Sequence, residues 1–467
     1  MSGVSAADTP GGAETVVHSV TDLSHQFTFY ADGRFFRQYL QGGRNKDARN
    51  WMTLHKCSLE NANLLVLMSG GTPCCYLPED VRAVREFLEE GGGVALLGNR
   101  ATFRDQNVYH LNEMATAFGA QFTDVKMKSP VTAVGELGAK KVEIRGRKTI
   151  ALDSPQSWEI LIRDANGEPV MASRPVGRGR LLVASRALFG RQPDASDPIN
   201  AQWVRPLLIG LAAGKEVDPT RPPNDARWAE VDNVVKHESI ELHFNDYMKS
   251  EAESVLDLYE RVVPVMTELL GVPPSEGMLG SLLLLPTGGG GFSSGSHIGV
   301  GVWWGGFPEK EYGMVELIGH EATHSWVHPF PEPMWNEPIA TYVGALVGQC
   351  LGHGEQGRRA IEGTIRSARK HDPDMRKYDI AFGKDVPRTV QWGKTMWIWE
   401  ELRKQRPDAL ARYFCAKRKL AVPGKLKSYT PHDCVAVISH AMGRDMFPWF
   451  RAHGLSVSAD ETSIALP

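Results

Sequence analysis

The stretch VELIGHEATHSWVHPFPEPMWNEPIATYVG, residues 315–344, decides how the second half of the chain is read. It carries two histidines four apart, His320 and His324, with Glu321 between them. Four residues advance about 6 Å along a helix and return to nearly the same face, so a helix over 314–326 aims both imidazoles at one point. Met314, Leu317, Ile318, Ala322 and Trp326 recur at helical spacing, and Pro329 ends the run. Glu321 sits beside the first histidine, where a carboxylate can act as general base next to a metal. The same pattern also arises by chance in ordinary buried helices, so a third ligand is needed before it carries chemistry.

A catalytic zinc usually takes three protein ligands and keeps a fourth position open. The candidate third ligand is Glu337, thirteen residues after His324. Asn336 can cap a second helix and Pro338 suits its first turn. Glu337, Ala340, Thr341, Gly344 and Ala345 then share one face, and the small residues on it allow a close approach to the first helix. His328 is a rival ligand, one turn after His324 but directly before Pro329. The glycine and third histidine of a metzincin are missing, since Val327 and Phe330 hold those places.

HEATHSWV (320–327) followed by WNEPIATYVG (335–344) resembles the gluzincin metallopeptidases, the group of the aminopeptidase N family and the enhancin-like, mucin-directed peptidases. The resemblance runs over roughly residues 235–455 and includes GKTMWIWEELRKQRPDALARYF (393–414) and DCVAVISHAMGRDMFPWFRAHG (433–454). It implies an α+β domain with a helical C-terminal half, and one zinc ion per chain held by His320, His324 and Glu337. It further implies Glu321 as general base and hydrolysis of peptide bonds in peptides or glycoproteins.

The spacer from His324 to Glu337 is short for the aminopeptidase branch, and no GAMEN-like strand is present. SGSHIGVGVWWGG (294–306) stands in its place and carries no carboxylate. A buried ammonium without an acidic partner is strongly disfavoured, so internal cleavage is expected. The alternatives are an aminopeptidase anchored by Glu309 or Glu311, and an inactive binding protein of the same fold. HIGVGVWW (297–304) is expected to be the edge strand that binds substrate, with His297, Trp303 and Trp304 as contacts and Gly288–Gly291 as a movable rim. Donors for a transition-state oxyanion are sought among Tyr378, Tyr429, His432 and His440.

The first half has a different grammar. ANLLVLMSGG and GVALLGNR are apolar runs of strand length, separated by the amphipathic LPEDVRAVREFLEEGG. Strand, helix, strand at this spacing predicts a parallel sheet with crossover helices, and VGRGRLLVASRALF adds a strand. This half resembles the flavodoxin-like domains of class I glutamine amidotransferases, in a non-catalytic form. Their nucleophilic cysteine has no counterpart after GVALLG, where Asn99 and Arg100 follow, while Cys74 and Cys75 follow another strand.

The expected organisation is a flexible N-terminus (1–20), the amidotransferase-like α/β domain (21–215) and a Pro-rich linker (216–228). The metallopeptidase domain (229–457) follows, with sheet and HExxH helix in 235–348 and a helical part in 349–457, then a tail (458–467). The 467 residues, 42% hydrophobic and 23% charged, fit a globular chain of two or three domains. A formal net charge of -3 gives no electrostatic case for nucleic acid. No apolar run is long enough to span a membrane. Neither a signal peptide nor a disulfide framework is evident, so a reduced, cytoplasmic protein is the default expectation, and a trimmed signal peptide would make it secreted. The sequence specifies no oligomeric state.

Overall fold

The computed structural model describes residues 15–25, 40, 44–69, 76–98, 110–138, 140, 142, 148–185, 198–224, 230–238, 240–327, 332–420 and 429–464. Cys74, Cys75, Asn99, Arg100, His328 and Pro329 lie outside them. The chain divides into two compact units, Met1–Asp232 and Asn233–Pro467. Among the described residues no helix is long and apolar enough to cross a membrane, and Cys57, Cys350, Cys415 and Cys434 are free thiols.

The first unit contains β1 (His18–Asp22), β2 (Lys46–Asn50), β3 (Leu64–Ser69), α1 (Pro78–Glu89), β4 (Gly93–Gly98), α2 (Leu111–Thr116), β5 (Ala120–Lys126), β6 (Thr132–Ala133), β7 (Lys148–Leu152), β8 (Glu159–Arg163), β9 (Pro169–Val176), β10 (Gly179–Ser185) and α3 (Pro198–Ala212). Eight strands form one sheet in the order β2-β1-β3-β4-β10-β9-β8-β6, and β5 pairs with β7 apart from it. From β2 to β10 every pairing is parallel. From β10 to β6 every pairing is antiparallel. The sheet is therefore mixed, parallel only in the half where β3 and β4 are buried on both faces, which is why those strands read as unbroken apolar runs. The Pro-rich stretch after α3 is no free tether. Asn61 donates to the Asp218 and Arg221 carbonyls at 3.2 and 2.8 Å and accepts from Asp218 N at 2.8 Å.

The second unit opens with β11 (Asn233–His237), β12 (Ile240–Phe244), α4 (Lys249–Leu270), β13 (Ser281–Leu285), β14 (Gly291–Ser293) and β15 (His297–Gly301). The helical part follows as α5 (Glu311–Trp326), α6 (Asn336–Cys350), α7 (Gly354–Arg369), α8 (Arg388–Gln405), α9 (Ala409–Leu420), α10 (Pro431–Met442) and α11 (Phe447–Ala452). The five strands run in the order β11-β12-β13-β15-β14. β15 is thus enclosed, parallel to β13 and antiparallel to β14. The edge expected at 297–304 is instead the short strand β14, because the Gly-rich segment folds back as a hairpin. That hairpin is stitched rather than loose: Gly289 N donates to Thr287 Oγ1 at 3.0 Å and Gly301 N to the Gly290 carbonyl at 2.8 Å.

Helices α5 and α6 meet at glycine. A Cβ on Gly344 would lie 2.4 Å from the Glu316 carbonyl oxygen and 3.2 Å from His320 N, and one on Gly319 would lie 3.1 Å from Gly344 Cα. Backbone against backbone at this crossing brings Glu337 within reach of both histidines.

Candidate metal centre

His320 and His324 lie one turn apart on α5, and Glu337 lies in the first turn of α6. Glu337 Oε2 is 3.4 Å from His320 Nε2, Glu337 Oε1 is 3.6 Å from His324 Nε2, and the two Nε2 atoms are 3.2 Å apart. Zinc–ligand bonds of about 2.0–2.2 Å at tetrahedral angles place ligand atoms about 3.3–3.6 Å from one another. The three separations lie at or close to that range.

The outer ring nitrogens explain the inner ones. Thr341 Oγ1 donates to the Glu337 carbonyl at 3.0 Å, so its contact with His320 Nδ1, at 3.2 Å, has the imidazole as donor. His324 Nδ1 faces the acceptor Asn336 Oδ1 at 3.3 Å, and that same oxygen accepts from Glu332 N at 3.0 Å. With a proton on each Nδ1, two Nε2 lone pairs point at each other. A proton or a metal cation can sit between such a pair, and this donor set of two imidazoles and a carboxylate is one that zinc accepts. Asn336, expected as a helix cap, serves here to orient His324.

Protonation follows the same layout. Burial works against an imidazolium at His320, but the Glu337, Glu321 and Glu316 carboxylates outweigh it and raise its pKa. Burial, together with the His320 charge, lowers that of His324. Glu337 is held low first by its hydrogen bond to His320, against burial, with His324 and Arg388 adding to the effect. Its side chain is 53% exposed, so the centre faces open space. Glu321 is 6% exposed. Burial pushes its carboxyl up to about 7. Its close neighbour is the β14 hairpin: a Cβ on Gly291 would meet Glu321 Oε1 at 2.9 Å. Ser325, on the same helix, bonds Ser293 Oγ at 2.5 Å and accepts from Gly295 N at 3.0 Å, fixing β14 against α5.

No family model and no curated protein matches the chain. Among solved structures, the ZmpB metallopeptidase from Clostridium perfringens is 9% identical with a TM-score of 0.31, over 73% of this chain and 72% of that one. A ThuA-like protein from Parabacteroides merdae is 14% identical with a TM-score of 0.30, over 45% of this chain and 95% of its own. The exo-beta-1,4-mannosidase Op5Man5 from Opitutaceae bacterium strain TAV5 is 13% identical with a TM-score of 0.29, and the match spans 44% of this chain but only 36% of the mannosidase. Likeness at this level carries no argument about function, which rests on the geometry above.

Trp303 is buried and donates to Glu251 Oε1 on α4 at 3.3 Å, as a core aromatic does. Trp304 begins a single 3-10 turn after β15 and is partly exposed. His297 lies on the enclosed strand β15, edge-on to Phe292. Among the described residues none of the four oxyanion candidates bonds to the His320–His324–Glu337 cluster. The Tyr378 carbonyl accepts from the buried Lys394 at 2.5 Å. His432 accepts from Ser458 N at 3.1 Å and faces Glu461, and His440 is exposed near the end of α10. Tyr429 is buried, with its ring 5.7 Å from Lys417 Nζ. The sequence did not flag Glu332, which pairs with Lys417 and accepts from the Tyr413 hydroxyl at 2.6 Å while its backbone holds Asn336.

Proposed function

We propose that residues 233–467 are a zinc-dependent metallopeptidase that cuts peptides or glycoproteins internally. The observation that carries this reading is the convergence of two imidazole lone pairs and a carboxylate at the edge lengths of one tetrahedron. Bound zinc would supply Lewis acidity, polarising a carbonyl oxygen and making a water more acidic at neutral pH. His320, His324 and Glu337 hold the ion, while Thr341 and Asn336 fix the tautomers of the two rings. Glu321 takes a proton from water as its oxygen adds to the scissile carbonyl carbon. It returns that proton to the amide nitrogen as the C–N bond breaks, so its charge is restored in each cycle.

Strand β14 has no strand on its outer side among the described residues, and an extended peptide can add there. Glu311 is engaged by Arg261, at 2.5 Å, and by His353, at 3.2 Å. A carboxylate so occupied does not anchor a free amino terminus, so of the two anchors considered for an aminopeptidase only the exposed Glu309 is left. The test is the variant Glu321→Gln on a peptide blocked at both ends. It should keep its zinc and cleave about 10²–10⁴-fold more slowly than the parent. Near-normal turnover contradicts the role of Glu321, and cleavage confined to peptides with a free amino terminus contradicts the internal mode.

A further inference from the structure

The helical part holds a groove of about 590 Å³ between α7 and α8 that the account so far does not use. Gly363, Thr364 and Ser367 line one side, and Arg388, Thr389 and Trp392 the other. Thr364 and Ser367 donate their hydroxyl protons to the carbonyls of Ala360 and Gly363, at 2.8 and 2.9 Å, and so present lone pairs rather than donors. The side-chain donors left on the lining residues are the Thr389 hydroxyl, the Trp392 indole N–H and the Arg388 guanidinium. Arg388 is exposed, lies 4.5 Å from the centroid of the Trp392 ring, and makes no ion pair among the described residues. A guanidinium laid on an indole keeps its planar fork oriented, and it is weakly hydrated, so a carboxylate displaces little water to reach it.

The helix that carries Arg388 is tied to the segment before Glu337. Gln391 Nε2 donates to the Met334 carbonyl at 3.3 Å, which holds the first turns of α8 beside the residues that lead into Glu337. Arg388, in the same first turn of α8 as Gln391, thus lies on a helix tied to the segment that precedes Glu337.

We propose that the Arg388–Trp392 groove is a subsite that selects a carboxylate on the peptide substrate, pairing it with the guanidinium while its methylene groups lie over Trp392 and Gly363. The carboxylate belongs either to an internal Asp or Glu or to the peptide's C-terminus. The substrate class rests on the metallopeptidase reading, whereas binding in the groove does not.

Two readouts test it. The zinc-loaded protein is given a randomised peptide library, once blocked at both ends and once with a free C-terminus, and the products are read by mass spectrometry. Acidic residues should be enriched at one fixed distance from the cut if the carboxylate is internal. A cut at a fixed distance from a free C-terminus marks the other source. Arg388→Ala should lower cleavage of the acidic peptides by about tenfold or more and leave neutral ones nearly unchanged, the loss of one charge-assisted bidentate pair. Arg388→Glu should turn the preference towards Lys and Arg. The second readout needs no turnover: saturation-transfer NMR on metal-depleted protein, with a blocked pentapeptide carrying one central glutamate and its glutamine counterpart. The glutamate peptide should bind more tightly to the parent and equally to Arg388→Ala. Equal binding of both peptides by the parent, or an acidic preference that survives Arg388→Ala in either readout, overturns the subsite. A library left uncut while the glutamate preference persists counts against the peptidase reading and not against the groove.

Discussion

Each unit sets histidines among carboxylates, and the two clusters are arranged in opposite ways. In the first unit, unlike groups face each other. The His25 ring nitrogens face Asp22 at 3.3 Å and Asp80 at 3.7 Å, and Ser24 Oγ and Asn50 Nδ2 reach the other oxygen of Asp22 at 2.7 and 2.8 Å. Asp80 also accepts from His55 Nδ1 at 2.9 Å and from the backbone of His55 and Leu77. Donors meet acceptors throughout, so the cluster is closed on itself and fastens β1 to the start of α1. In the second unit, like faces like: two Nε2 lone pairs meet at 3.2 Å with a carboxylate beside them. Residue types alone do not separate a structural network from an ion site. The direction of the lone pairs does.

That contrast can be broken by deleting a carboxylate from the closed cluster. Asp80→Ala leaves His55 and the N-cap amide of Leu77 without their acceptor and removes one of the two carboxylates facing His25, and should lower stability by about 3 kcal/mol or more, read from a denaturant midpoint. Zinc content should stay the same. Loss of zinc with unchanged stability would mean that the closed cluster has been misjudged. The open cluster is sharpened by Thr341→Val, which removes the acceptor for His320 Nδ1. Outer-shell losses of this kind weaken metal affinity about 10–100-fold, measurable by competition with a chelator. An unchanged affinity would show that His320 is oriented by other means. Smallest is Gly291→Ala. The added methyl would sit 2.4 Å from the Gly299 carbonyl and 2.9 Å from Glu321 Oε1, so β14 must shift at a cost of about 1–2 kcal/mol. Turnover should fall while zinc binding holds, and full turnover would separate β14 from the working position of Glu321.

What could be read from the sequence follows from the range of each interaction. The α5–α6 pair was legible because its signals are local: apolar recurrence before His320, a four-residue histidine spacing, and small residues at Ala340 and Gly344 facing the crossing. β3, α1 and β4 were legible for the same reason. β14 was not, since three residues with a glycine among them carry no periodicity, and enclosure of β15 depends on a hairpin that sequence alone does not specify. The antiparallel half of the first sheet was missed because β8 and β9 were not read from the sequence at all, and the direction of a pairing is set by partners outside each strand. Asn61 holds a stretch more than 150 residues away in sequence. Trp303 shows the limit most plainly: the same residue suits a subsite wall or a core aromatic, and its burial and its bond to Glu251 come from partners distant in sequence.

The most direct test of the central claim is zinc-edge anomalous diffraction from crystals of the zinc-loaded protein, alongside zinc analysis of the parent and of His324→Ala. The account predicts one zinc per chain, with a single anomalous peak about 2.0–2.2 Å from His320 Nε2, His324 Nε2 and a Glu337 carboxylate oxygen, and its loss in the variant. A parent without stoichiometric zinc, a peak elsewhere, or full zinc retention by His324→Ala would contradict it.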